Sequence, residues 1–186
     1  MGCDTLVGIT SSSSSPSICT WKIPKREYGH ESPEILHGYS RGPCQRIEAP
    51  ARLYSIFVTA ETVLVAGTGG VWMYKVDDGV IQQDSEQHFA THPAPKSTTV
   101  MQILIRGTDI FGIADDAFGV YRWDLVDRMI VQTYYHSNPT CISLLRERLL
   151  VGGSDGIVTC WNVKTSEKLK DVVVSKNKIS VTCLTI

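Results

Sequence analysis

The chain has 186 residues, 42% hydrophobic and 20% charged, with 18 basic and 19 acidic side chains and a net charge of −1. These proportions suit a globular chain that buries one large core or two small ones, and they exclude a disordered or collagen-like polymer. The charge balance leaves no global field for nonspecific attachment to nucleic acid or acidic lipid, and no apolar run approaches the ~18 residues of a membrane helix, so no membrane span is expected.

In chain order, the segments 5–10 and 17–23 are rich in Val, Ile, Thr and Trp and read as strands. The serine run Ser11 to Ser15 with Pro16 joins them as a solvated turn. From 24 to 50 the chain is polar and carries several Gly and Pro, which predicts an irregular connection with a candidate fourth strand around 34–39. Three similar units follow. The first runs through 53–58, 62–66, the turn Gly67-Thr-Gly-Gly70, 71–76 and a weaker run near Val80. The second runs through 100–105, 110–114, the turn 115–118, 119–125 and 128–133. In the third, 139–145, 149–153, the turn Ser154-Asp-Gly156, 157–163 and 169–174 give four antiparallel strands in a meander. The tail 180–186 reads as one more first strand. Helical apolar spacing longer than two turns is missing, so the chain is predicted to be all-β.

The six cysteines, at 3, 19, 44, 141, 160 and 183, form no C-x-x-C pair, and no apolar leader precedes them. They are read as reduced thiols in a cytoplasmic or nuclear protein. Met1-Gly2-Cys3 invites acylation, but Leu6 stands where the myristoylation pattern has Ser or Thr.

The third strand of each unit ends on an aromatic residue, at Trp21, Tyr74, Trp123 and Trp161. Trp123-Asp124 is a literal WD dipeptide, His136 precedes Pro139, and Asp155 lies in the turn before the strand of Trp161. A four-stranded unit of ~40–45 residues with these features resembles the WD-repeat blade of a β-propeller. The resemblance implies blades at roughly 1–40, 53–84, 99–134 and 139–174, with 180–186 as the first strand of a next or closing blade. It also implies a buried network of His136, Asp155 and the Trp161 indole, with Trp123, Trp21 and Tyr74 as core counterparts. The sequence departs from the pattern at Tyr135, which replaces the usual Gly, at Gly152, which falls where a hydroxyl residue is expected, and at Asn162, which replaces Asp. Seven blades would need roughly 280–315 residues. The expectation is therefore part of a larger propeller, with a closed four-bladed ring as the alternative.

No catalytic constellation emerges from the residues. The Gly67 to Gly70 segment joins two strands without a following helix, so it lacks a phosphate-cradling context. Ser154 near Asp155 and His136 lacks the G-x-S-x-G elbow. Asp115 and Asp116 are adjacent acids in a turn, and the histidines at 30, 37, 88, 92 and 136 share no ligand spacing. No enzyme, cofactor or metal is expected. The resemblance implies a non-catalytic scaffold, a WD-repeat subunit of a multiprotein complex whose partners are other proteins, one of them potentially completing the propeller. Candidate partner-binding residues are Phe118, Asp116, Lys96, Tyr135 and Asn138, with Phe118 foremost because an aromatic in a polar turn has little structural reason to be there. RNA binding is the less favoured alternative, through Lys22, Lys25 and Arg26 or through Lys164, Lys168, Lys170, Lys176 and Lys178.

Overall fold

The computed structural model describes residues 4–10, 16–23, 45–90, 98–115, 119–177, 179–182 and 184. Among them there are fifteen strands and no helix. The first sheet contains β1 (Asp4–Thr10), β2 (Ser17–Ile23) and β3 (Gln45–Glu48). The second contains β4 (Leu53–Val58), β5 (Thr62–Gly67), β6 (Gly70–Asp77) and β7 (Val80–Ala90). The third contains β8 (Val100–Arg106), β9 (Asp109–Ala114), β10 (Gly119–Asp124) and β11 (Ile130–Tyr135). The fourth contains β12 (Pro139–Leu145), β13 (Arg148–Gly153), β14 (Ile157–Asn162) and β15 (Lys168–Val173). In each sheet, sequential strands pair antiparallel.

Three elements differ from the sequence reading. The tail expected to open a further strand is in no strand at its described residues, 180–182 and 184, although Val181 N–H binds the Gly153 carbonyl. The strand Gln45–Glu48 lies inside the stretch expected to be irregular, because its single core residue, Ile47, gives too short a pattern to read. The run near Val80 continues to Ala90, past the expected boundary at 84. Its middle is polar, Gln82 to His88, because much of that outer strand faces water. The candidate strand at 34–39 lies outside the described residues.

The sheets stack face to face in chain order, and side-chain alternation explains why. On β5, Val63 and Val65 join Ile18 and Ile47 of the first sheet in one core, while Leu64 and Ala66 join Ile103, Tyr121 and Trp123 of the third sheet in another. On β9, Ile110 and Ala114 turn back to the second sheet, while Phe111 and Ile113 turn forward to Leu149 and Val151 of the fourth. A strand buried on both faces has no polar face to show, which is why Val63-Leu-Val-Ala66 and Ile110-Phe111 are continuous apolar runs. These three clusters join neighbouring sheets, and none joins the fourth sheet to the first.

The register repeats with the layers. The first strands each carry a bulge, between Leu53 and Ser55, Val100 and Gln102, and Pro139 and Cys141. In an unbroken strand Val100 and Ile103 would point to opposite faces; the extra residue lets both enter the same core. Side chains just past the bulge then reach the next sheet. Ser55 Oγ accepts from Ile103 N–H (3.3 Å). Gln102 takes both polar groups of the Ile142 peptide, its Oε1 accepting from N–H (3.0 Å) and its Nε2 donating to the carbonyl (3.5 Å). Gln45 grips Ile81 in the same way between the outer strands of the first two sheets, at 2.8 Å in each direction. Replacing Gln102 with Ala leaves the half-enclosed Ile142 peptide without its side-chain partner. The expected cost is about 1–3 kcal/mol, read as a lower urea midpoint at unchanged m-value, with Gln102→Glu losing less because it keeps the acceptor.

Candidate functional site

The residues singled out around His136 meet where β11 hands over to β12. Tyr135 ends β11, and Asn138 adopts φ 51° in the short connection. The Asn138 carbonyl accepts from Ser154 N–H (3.1 Å), which pins this connection to the turn before β14. The same tie recurs from Thr68 to Arg52 and from Asp115 to Thr99, each 3.0 Å, so the end of the stack is built on equivalent backbone bonds. His136 is buried and donates from Nδ1 to the Ser137 carbonyl (2.9 Å). Asp155 caps the next strand, accepting from Ile157 N–H (3.1 Å). Both side chains close over Gly153. A methyl placed there would lie 2.3 Å from His136 Cε1 and 2.6 Å from Asp155 Oδ1, so only glycine fits.

The structure therefore brings His136 and Asp155 together, but no hydrogen bond joins them among the described residues. Trp161 stands apart from both, its buried indole N–H having no partner. With Gly152 in place of a hydroxyl residue, nothing on β13 offers the indole an acceptor. The hydroxyl that does bind a carboxylate here is Thr159, one strand over, which donates to Asp171 Oδ1 (2.7 Å). The Lys168 ammonium and that hydroxyl hold the Asp171 carboxyl below its usual range, with the nearby His136 adding to the pull. Sequence reasoning missed this pair because Lys168 to Val173 reads only as a solvated outer strand.

The aromatic series keeps one register through all four sheets: Trp21, Tyr74, Trp123 and Trp161 pair with Leu6, Val63, Ile110 and Leu149. Trp123 and Tyr74 are fully buried. The Tyr74 hydroxyl escapes to the sheet edge and donates to Glu86 (2.7 Å). Burial first, and then that carboxylate, push its ionisation far above the ordinary phenol value of 10.0.

Among the candidate contact residues, Tyr135 is 70% exposed and Asn138 is also at the surface. Phe118, Asp116 and Lys96 lie outside the described residues. Of the basic residues, Lys164 pairs with Glu147 and Lys168 with Asp171, the latter at 2.6 Å. Lys25, Arg26 and Lys178 are outside the described residues. A groove of about 720 Å³ beside the β6–β7 hairpin is wide open and edged by exposed Glu61, Asp77 and Asp84. No cluster of His, Cys, Asp and Glu suited to a metal occurs among the described residues.

No family model and no curated protein matches the chain. Its shape is similar to the crystal structure of the computationally designed Ika4 protein, with a TM-score of 0.59 and 16% identity over 74% of this chain and 81% of that one. It is also similar to the crystal structure of the computationally designed Ika8 protein, with a TM-score of 0.63 and 14% identity over 97% of this chain and 52% of that one. The chain thus spans about half the length of Ika8. At such identities the likeness is one of fold. Because 579 solved chains match the shape, the architecture is shared too widely to carry an activity by itself.

Two outcomes follow from this geometry. A double-mutant cycle between Trp161→Phe and Asp155→Ala is expected to give a coupling below about 0.5 kcal/mol, since no bond links them; a larger coupling in thermal unfolding would restore the network. The pH profile is expected to fall at both ends. Asp171, with a depressed folded value, contributes stability above its unfolded value of roughly 4 that is lost on acidification. Tyr74, with a raised folded value, contributes stability below about pH 10 that is lost as the unfolded phenol ionises. Tyr74→Phe should flatten the alkaline limb and Asp171→Asn the acid limb in melts recorded across pH.

Proposed function

We propose that the chain is an arc of WD-repeat-like β-propeller blades, part of a larger ring, whose role is to hold other proteins together as a non-catalytic subunit of a complex in the cytoplasm or nucleus. The meander order of each sheet, the repeated bulge and the common register of Trp21, Tyr74, Trp123 and Trp161 support the blade reading. The observation that carries the functional reading is Tyr135. It is 70% exposed at the end of β11, beside a connection whose backbone is pinned by the Asn138–Ser154 bond and by buried His136. An exposed ring beside a stiff turn offers contact area with little ordering cost, which is how aromatic anchors serve interfaces. Phe118 and Asp116, expected from the sequence as further partner contacts, lie outside the described residues. The RNA reading draws less support, because Lys164 and Lys168 already face carboxylates.

Tagged chain isolated under gentle conditions is expected to return a stoichiometric multiprotein assembly, and Tyr135→Ala to weaken it at least about tenfold while leaving the melt unchanged. A chain that elutes alone from native extract would count against the scaffold.

A further inference from the structure

The bulge that each of three first strands carries leaves one residue out of the ladder: Tyr54 in β4, Met101 in β8 and Thr140 in β12. Next to it the chain is enclosed, at Leu53, at Val100 and at Cys141, whereas the bulged residue is exposed in all three strands. A bulge re-aims a side chain, and here it re-aims the equivalent one three times. The first strands lie side by side, tied by the bond from Ile103 N–H to Ser55 and by the grip of Gln102 on the Ile142 peptide. The bulged residues therefore form a row along the edge that the first strands share, and the backbone sets their spacing.

The framework asks little of these positions. Thr140 shows what suffices, since its hydroxyl turns back to the Gly152 carbonyl of its own sheet (3.0 Å). Tyr54 and Met101 make no such bond among the described residues. Both are large and apolar, 41% and 53% exposed, and neither belongs to any of the three cores. One face of the Tyr54 ring is covered by Arg52, whose guanidinium carbon lies 5.4 Å from the ring centroid. The Arg52 backbone is fixed: its carbonyl accepts from Thr68 N–H (3.0 Å), and a methyl added at Gly67 would fall 2.1 Å from that oxygen. Its guanidinium meets no carboxylate among the described residues.

We propose that this row binds an extended segment of a partner protein, with an Asp or Glu side chain of that segment on Arg52 and the apolar residues beside it on Tyr54 and Met101. A guanidinium stacked on a ring keeps its N–H fork for a carboxylate, which it matches with two bonds, and it is already ordered before the partner arrives. The unbranched Met101 adapts to whichever apolar side chain follows. Charge selects the occupant. One cation beside apolar surface suits one acid beside apolar residues, whereas a run of phosphates draws its affinity from several cations. The inference rests on the reading of the chain as a protein-binding module and adds a second site, because Met101 and Tyr135 lie on opposite edge strands of the third sheet.

The test is fluorescence anisotropy on the full chain with short capped peptides that carry one Glu and two Leu in every order and spacing, and with the same peptides bearing Gln in place of Glu. The best Glu peptide is expected to bind about tenfold more tightly than its Gln counterpart. Arg52→Met should erase that difference while leaving the Gln peptide unchanged. Tyr54→Ala should weaken both, Tyr54→Phe neither, each with an unchanged melt. Absence of binding by every peptide, or a preference for Glu that survives Arg52→Met, would overturn the proposal. Tighter binding of a single-stranded RNA oligonucleotide through Tyr54 would overturn it as well. A native assembly that depends on Tyr135 but not on Arg52, Tyr54 or Met101 would sink this site and leave the scaffold standing. A chain that elutes alone yet selects Glu peptides through Arg52 would do the reverse.

Discussion

The strands β5 and β9 are apolar on both faces, and the sheets on either side are arranged to cover them. A strand such as β5 or β9 puts bulky apolar residues on alternate sides, so a single partner sheet can cover only half of them. Each fully buried Phe, Leu or Ile is worth about 1.5–3 kcal/mol. Leaving one face of one sheet in water would therefore forfeit several such terms, more than any one of the polar contacts returns. Stacking in chain order covers every internal face. The short connections between an outer strand and the next first strand make that order the one the chain can reach.

The stack also fixes how large a residue each position can hold. Two residues along from the partners of the third-strand aromatics, and so on the same face, the second strands place Gly8, Val65, Gly112 and Val151 at equivalent register. A methyl added at Gly112 would lie 2.8 Å from Trp123 Cζ3, so the indole occupies the volume that a side chain would otherwise fill. Where the second strand carries valine instead, the third strand carries the slimmer Tyr74, or it carries Trp161, which is only partly buried. At Gly8 and Gly112 the neighbouring indole lies where a side chain would stand, so these positions hold no larger residue without a shift of the ring.

This accounts for what could be read in the sequence and what could not. Strands two and three of every unit were legible because burial on both faces writes them as dense runs of Val, Ile, Leu and aromatics. The aromatic register was legible for the same reason. The outer strands were not: β15 is exposed along its whole length, β7 is polar through its middle, and β3 offers only Ile47. Amphipathic patterning vanishes where a strand meets solvent on most sides. The site showed the opposite failure. His136 and Asp155 were visible as residue types in the right turns, but the unpaired Trp161 N–H and the Thr159–Asp171 bond depend on which hydroxyl faces which carboxylate across strands. Spacing along one strand does not carry that information.

The fate of the polar residue after each third-strand aromatic separates framework from function. Asp124 accepts from Val126 and Asp127 N–H, and Asn162 accepts from Lys164 and Thr165 N–H, so acid and amide close the same turn by the same bonds. In the second sheet that turn is the two-residue Asp78-Gly79, both at positive φ, and Lys75 in the matching place makes no such cap. A residue that can be exchanged for an isostere, or omitted when the turn shortens, is holding the backbone. Tyr135 fits no such rule: its neighbours already secure the connection, and its ring adds nothing to any of the three cores. Where the frame is this repetitive, the side chains that the repeat does not need are the ones free to be shaped by a partner.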